Sequence, residues 1–167
     1  MINLFEPNLG KNSLRELKQV FKSNWLGRGG KVKEFEELFA NFTHIDKNLL
    51  STNSCCSDAI FNAIKVLDLK EKDIVVIPTN SFPAIGSAIL ESKANLKIVD
   101  IDSNGNIDLD KIPKELFKSA KLFFITHYGG IPVDIERLEQ ITKKYYIKII
   151  EDGAGALGSY HNGNHVG

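Results

Sequence analysis

Tyr145-Tyr146-Ile147-Lys148-Ile149-Ile150-Glu151-Asp152-Gly153-Ala154-Gly155-Ala156 is the stretch on which the reading of this sequence turns. Residues 145–150 read as a buried strand, with 147–150 at its centre. The strand finishes in Glu151-Asp152, and only small residues follow. In an α/β sheet, ligands bind beyond the carboxyl ends of the strands. An acid held there, with small neighbours leaving room, suits a buried cationic partner such as a protonated ring nitrogen.

Outward from this stretch, strands alternate with helices. Apolar residues at helical spacing predict a helix over 13–22, with Leu14, Leu17 and Phe21 on one face. A second helix is predicted over 31–42, carrying Val32, Phe35, Leu38, Phe39 and Phe42; the glycine-rich segment 24–30 between them is a loop. Residues 48–52 are a short strand candidate. Residues 57–67 form a helix with Ala59, Ile60, Ala63, Ile64 and Leu67 inward. An apolar strand over 74–77 ends at Pro78, and a helix over 83–92 follows. Strands are predicted over 96–100 and 122–126, and a helix over 134–144 with Ile135, Leu138 and Ile141 on one face. Continuous apolar strands between helices predict an α/β fold, a mostly parallel sheet covered on both faces. Residues 159–166 read as a hairpin around Asn162-Gly163. Its return strand is cut just after it begins, so a truncated chain is expected, with Met1 a genuine N-terminus. No repeat or linker divides the sequence, and 1–167 is expected to be part of one domain.

The 167 residues are enough for a real core. Lys and Arg number 21, against 21 Asp and Glu, a balance that argues against a nucleic-acid partner or an anionic membrane surface. No apolar run is long enough to span a bilayer, and residues 1–20 carry charges and lack a signal-peptide core, so a cytoplasmic location is expected. Cys55 and Cys56 are adjacent, a spacing that rarely bridges. Without further Cys/His spacing they make no zinc site, and they read as small buried residues at a helix start.

Four clusters lie at strand ends and helix starts. Asn53-Ser54-Cys55-Cys56-Ser57-Asp58 opens a helix, where unpaired N–H groups and a partial positive charge bind phosphate. Position alone favours the plainer reading, that Ser54 or Ser57 caps the helix. Phe82, in Thr79-Asn80-Ser81-Phe82-Pro83-Ala84, suits stacking on a flat heteroaromatic ring, although an aromatic there is more often core. His127, in Thr126-His127-Tyr128-Gly129-Gly130, suits contact with a ligand oxygen or proton transfer; a lone histidine is more often structural. Asp152 either meets a ligand or caps the turn that follows it. Strand-end acids of this kind also bind Mg²⁺ or ribose.

Singly these are weak signals, but their order and spacing are specific. Together they resemble the fold-type I pyridoxal-phosphate enzymes and, more narrowly, the DegT/DnrJ/EryC1/StrS family of sugar aminotransferases. The resemblance runs along essentially the whole chain. The segment from Trp25 to Glu36 is similar to the family's N-terminal segment. Cys55-Cys56-Ser57-Asp58-Ala59-Ile60 is similar to its Ser-Cys/Gly-Thr-x-Ala-Leu stretch, and Pro78 to Ala84 to its Pro-x-x-Thr-Phe-x-Ala stretch. His127 to Asp134 is similar to its His-x-x-Gly-x-x-x-Asp stretch, and Glu151 to Ala156 to its Glu-Asp-Ala-Ala-Gln/His-Ala stretch.

The resemblance implies an aspartate aminotransferase-like large domain, cut before its end and before the small domain. It implies that Cys56 and Ser57 hold the phosphate of pyridoxal 5'-phosphate, that Phe82 stacks on the pyridine ring, and that Asp152 pairs with the pyridinium nitrogen. His127 is a further candidate contact to substrate or cofactor. Gly155 stands where the family usually carries Gln or His, so a side chain toward the ligand is missing. The Schiff-base lysine is expected beyond Gly167, which implies weak or no cofactor binding and no catalysis by this chain alone. The full-length protein is expected to be a homodimer that moves an amino group, usually from glutamate, onto a nucleotide-linked keto-sugar for amino-sugar or surface polysaccharide synthesis. A sugar dehydratase of the same family, with His replacing the lysine, and a non-catalytic remnant that at most binds a partner are the alternatives. An ordinary nucleotide-binding domain is disfavoured, since no Gly-x-Gly-x-x-Gly or Walker-type loop is present.

Overall fold

The computed structural model describes residues 6–167; Met1 lies outside the described residues. The chain forms two compact units, Met1–Ser51 and Thr52–Gly167. In the first, α1 spans Ser13–Lys22 and α2 spans Gly30–Thr43. The predicted faces exist, but Leu14 is 81% exposed, and Leu17, Phe21, Phe35, Leu38 and Phe42 are exposed as well. The strand expected over 48–52 does not form. Asp46 Oδ1 accepts the Asn48 N–H at 2.9 Å and ties Lys47–Leu49 into a 3-10 turn. A local side chain-to-backbone bond prevails where no described strand pairs with the segment.

The second unit carries the sheet. Its elements are α3 (Cys56–Val66), β1 (Ile74–Pro78), α4 (Pro83–Glu91), β2 (Asn95–Val99), α5 (Lys114–Ser119), β3 (Ala120–Thr126), α6 (Ile135–Tyr145) and β4 (Lys148–Asp152), followed by the short strands β5 (Tyr160–His161) and β6 (Asn164–His165). The order across the sheet is β2-β1-β3-β4, and every pairing in it is parallel. After β1 the chain first adds β2 on one side, then returns to add β3 on the other. That reversal opens a crevice at the carboxyl ends of β1 and β3, where ligands of open α/β sheets bind.

Two apolar layers follow from the period of 2 along each strand. Val75, Ile77, Leu122 and Phe124 face Ile60 and Ile64 of α3 and Ile85 and Ile89 of α4. Val76, Phe123 and Ile125 face the other way, toward Leu138 of α6 and Ile107, Leu109 and Ile112 of the loop before α5. Helix α5 has six residues, too few to print an apolar period on the sequence. Tyr145 and Tyr146 are not part of β4. Tyr145 closes α6 and stacks on Phe117 at 5.9 Å, and Tyr146 takes the left-handed C-cap at φ 58°. Packing of α6 on α5 here overrides the strand preference of two tyrosines. The Asn162-Gly163 hairpin forms as the sequence predicts, with both residues at positive φ, as a type I′ turn requires.

Phe124 is 1% exposed in the α3/α4 layer. Phe124→Ala is expected to destabilise the protein by about 3–5 kcal/mol, against less than about 0.5 kcal/mol for exposed Lys121→Ala. Urea unfolding followed by circular dichroism checks this.

Candidate functional site

Helix α3 starts at the same edge. Its N-cap is Cys55, in extended conformation, and no side chain caps it. The capping reading of Ser54 and Ser57 is therefore overturned: the Ser54 hydroxyl donates instead to the Asp58 carboxylate. The first amide to bond back is Ala59, to Cys55 O at 3.2 Å. The N–H groups of Cys56, Ser57 and Asp58 thus keep the open, positive end of the helix. The two cysteines are free and exposed rather than buried.

Phe82 is the N-cap of α4 and is 57% exposed, so it is not a core aromatic. Pro83 at the first helical position holds α4 directly behind it and fixes where the ring emerges. Asp152 ends β4 and is 9% exposed. Its Oδ1 accepts the Ala154 N–H at 3.0 Å, which makes the turn that the sequence allowed. Its other oxygen has no hydrogen-bond partner among the described residues. Although its surface is exposed, partial loss of water around the Cys56 thiol, and after it the charge of Asp152, raises its pKa above the ordinary thiol value. The effect of the Asp152 charge on Cys56 places the α3 start within electrostatic range of the end of β4. A Cβ added at Gly155 would meet nothing within 4 Å, which leaves room beside Asp152.

His127 belongs elsewhere. Alternation turns it to the α6 side of the sheet, and it is 1% exposed. Nδ1 accepts the Val133 N–H at 3.1 Å, which places the ring proton on Nε2, and that nitrogen donates to Glu151 Oε2 at 2.9 Å. Both ring nitrogens are engaged by the chain, and the geometry is that of a structural histidine. The hydrogen bond from His127 holds the Glu151 carboxyl below its ordinary value of 4.5, against the opposing effect of burial and with help from the Gly167 N–H. The sequence reading did not single out Glu151 as this partner or Thr126 as a site residue. The signal for both was the strand period: Thr126 is opposite Asp152 in register and shares its face, and Glu151 takes the other.

These residues fit pyridoxal phosphate: open amides for an anion, a free oxygen of a buried carboxylate for a ring nitrogen, an exposed aromatic face, and no thiolate beside them. His127 is not among the groups the structure leaves open. Among the described residues no Cys, His, Asp and Glu cluster could hold a metal ion, and no helix is long and apolar enough to cross a membrane.

Residues 7–167 match the profile of the DegT/DnrJ/EryC1/StrS aminotransferase family. The dTDP-4-dehydro-2,3,6-trideoxy-D-glucose 4-aminotransferase of Saccharopolyspora spinosa is 33% identical over 168 residues, covering 100% of this chain and 44% of that protein. The crystal structure of the aminotransferase TlmJ from Streptoalloteichus hindustanus superposes with a TM-score of 0.94 at 32% identity, over 100% of this chain and 46% of that one. NtdA of Bacillus subtilis, solved with bound cofactor PMP, matches at 28% identity with a TM-score of 0.77, over 92% of this chain and 35% of that one. The chain thus spans less than half the length of these relatives. Its α/β fold is shared with part of PLP-dependent aminotransferases, and the chain belongs to the DegT/DnrJ/EryC1/StrS aminotransferase family.

The Glu151–His127 pair gives a pH prediction. A carboxyl with a lowered folded pKa adds stability that is present above its unfolded value and is lost as pH falls through the folded value. Unfolding free energy measured in urea from pH 6 to pH 3 is expected to fall more steeply in the wild type than in Glu151→Gln. Parallel curves would show that the pair carries no linkage.

Proposed function

We propose that this member of the DegT/DnrJ/EryC1/StrS family is the cofactor-holding part of a PLP-dependent aminotransferase acting on a nucleotide-linked keto-sugar, with an amino acid such as glutamate as donor. One observation carries the reading: a buried carboxylate with one oxygen left open, at the end of β4, beside the uncapped start of α3. The sugar class comes from the relatives, among them the dTDP-sugar aminotransferase of S. spinosa.

In the mechanism each residue has one task. The amides of Cys56 and Ser57, with the Ser57 hydroxyl, hold a phosphate at the positive end of α3. Phe82 presents a ring face at the end of β1 and keeps water from one side of a bound heterocycle. Asp152 accepts a hydrogen bond from a protonated ring nitrogen and, being buried, holds that proton more firmly than an exposed acid does. The bound group would supply an electron sink for the amino-transfer chemistry. Cys56, held neutral, adds no negative charge that would repel the phosphate. The open space at Gly155 leaves a substrate more room than a Gln or His side chain would. The lysine that completes such a reaction is assigned to no residue of this chain. A homodimer and a second, smaller domain belong to the same proposal for the full-length protein.

Equilibrium dialysis with pyridoxamine 5'-phosphate tests the site. Pyridoxamine 5'-phosphate forms no Schiff base with a lysine, so the wild type is expected to bind it without one, and the near-isosteric Asp152→Asn to bind about ten-fold or more weakly, since a charge-assisted hydrogen bond is worth about 1.5–3 kcal/mol. Phe82→Ala is expected to weaken binding by about five-fold, on the order of 1 kcal/mol of stacking. Failure of the wild type to bind, or equal binding by Asp152→Asn, would refute the assignment.

A further inference from the structure

Among the described residues, Thr126 Oγ1 is the buried side-chain polar atom left without a hydrogen-bond partner. Buried hydroxyls are seldom left in that state, because the donor has lost water and gained nothing in exchange. Its place in the sheet narrows what the hydroxyl is for. Thr126 is the last residue of β3 and is paired in register with Asp152, the last residue of β4. In a parallel pair the two side chains stand on one face, here the α3/α4 face, as Phe124 two residues earlier does. On the other flank, Thr79, which follows β1, donates its own hydroxyl to Val99 O at 2.8 Å and makes no hydrogen bond to Thr126. Asp152 meanwhile has, among the described residues, a single donor, the Ala154 N–H on Oδ1. An unused donor and an under-used carboxylate oxygen therefore end adjacent strands on the same face.

We infer that Thr126 is a positioning residue for Asp152: when the site is filled, its hydroxyl donates to the Asp152 oxygen that meets the ligand and fixes the carboxylate's orientation. In the free protein that hydrogen bond is not made, and the hydroxyl is held in reserve. A carboxylate oxygen has two lone pairs, so it takes the Thr126 proton and the ligand's N–H together. The inference rests on the reading that Asp152 takes a ring nitrogen.

The test uses the chain with pyridoxamine 5'-phosphate as probe, in four forms: wild type, Thr126→Val, Thr126→Ser and Asp152→Asn. The dissociation constant of Thr126→Val is expected to rise about ten-fold, while Thr126→Ser, which keeps the hydroxyl, stays within about two-fold of wild type. The ¹⁵N shift of the labelled ring nitrogen in the bound probe is expected to move toward the unprotonated value in Thr126→Val and not in Thr126→Ser, a change that a merely structural role would not produce. Without ligand, the melting temperature of Thr126→Val is expected to equal or exceed that of the wild type, because an unpaired hydroxyl has been removed. A fall in that temperature would mean that the hydroxyl already has a structural partner, and the inference would be wrong. Weak binding by Asp152→Asn with wild-type affinity in Thr126→Val would overturn the inference and leave the Asp152 reading standing. No binding by the wild type would overturn both.

Discussion

Parallel pairing sets where everything else in the sheet-bearing unit stands. With β1, β3 and β4 running the same way, Pro78, Thr126 and Asp152 all arrive at one edge. The return of the chain across β1 then opens the crevice at that edge. The uncapped start of α3 comes to the same place, as the effect of the Asp152 charge on the Cys56 thiol records. Had any of the three strands been antiparallel, its terminal side chain would stand at the far end of the sheet, and no arrangement of loops would recover the site.

The pleat adds a second constraint. Glu151 and Asp152 are neighbours in sequence and face opposite sides of one strand. Asp152 looks to the α3/α4 side with Thr126, and Glu151 looks to the α6 side, where His127 finds it at 2.9 Å. The two acids therefore divide the work. Glu151 braces the turn after β3 through His127, whose other nitrogen receives the Val133 N–H. Asp152 keeps one oxygen open among the described residues, on the face it shares with Thr126. One strand end thus holds a structural pair and the proposed ligand-facing pair back to back.

Much of the candidate site's placement at strand and helix ends was legible in the sequence. Small residues after Glu151-Asp152, a helix start rich in small polar residues, and an aromatic before a proline mark strand and helix ends through local chemistry that needs no partner. The misreadings share a cause. The strand expected over 48–52 lost to an Asp46 turn bond, and Tyr145-Tyr146 went to the end of α6 because Phe117 waits there. Ser54 is spent on Asp58 instead of capping α3, and Cys55 and Cys56 are exposed. For the 48–52 segment, the two tyrosines and Ser54, a contact with one particular partner decided between two locally reasonable conformations.

The sequence by itself determined the alternation of strands and helices, the hairpin at Asn162-Gly163, and the residues that end each strand. These follow from side-chain period and backbone preference, which are properties of a few consecutive residues. Only the tertiary structure decided that His127 serves Glu151, that Phe82 stays exposed, and that the Thr126 hydroxyl lies unpaired beside Asp152. Those facts depend on which strand lies beside which and on which face each side chain takes, and pairing between residues 26 positions apart in the chain, Thr126 and Asp152, sets both.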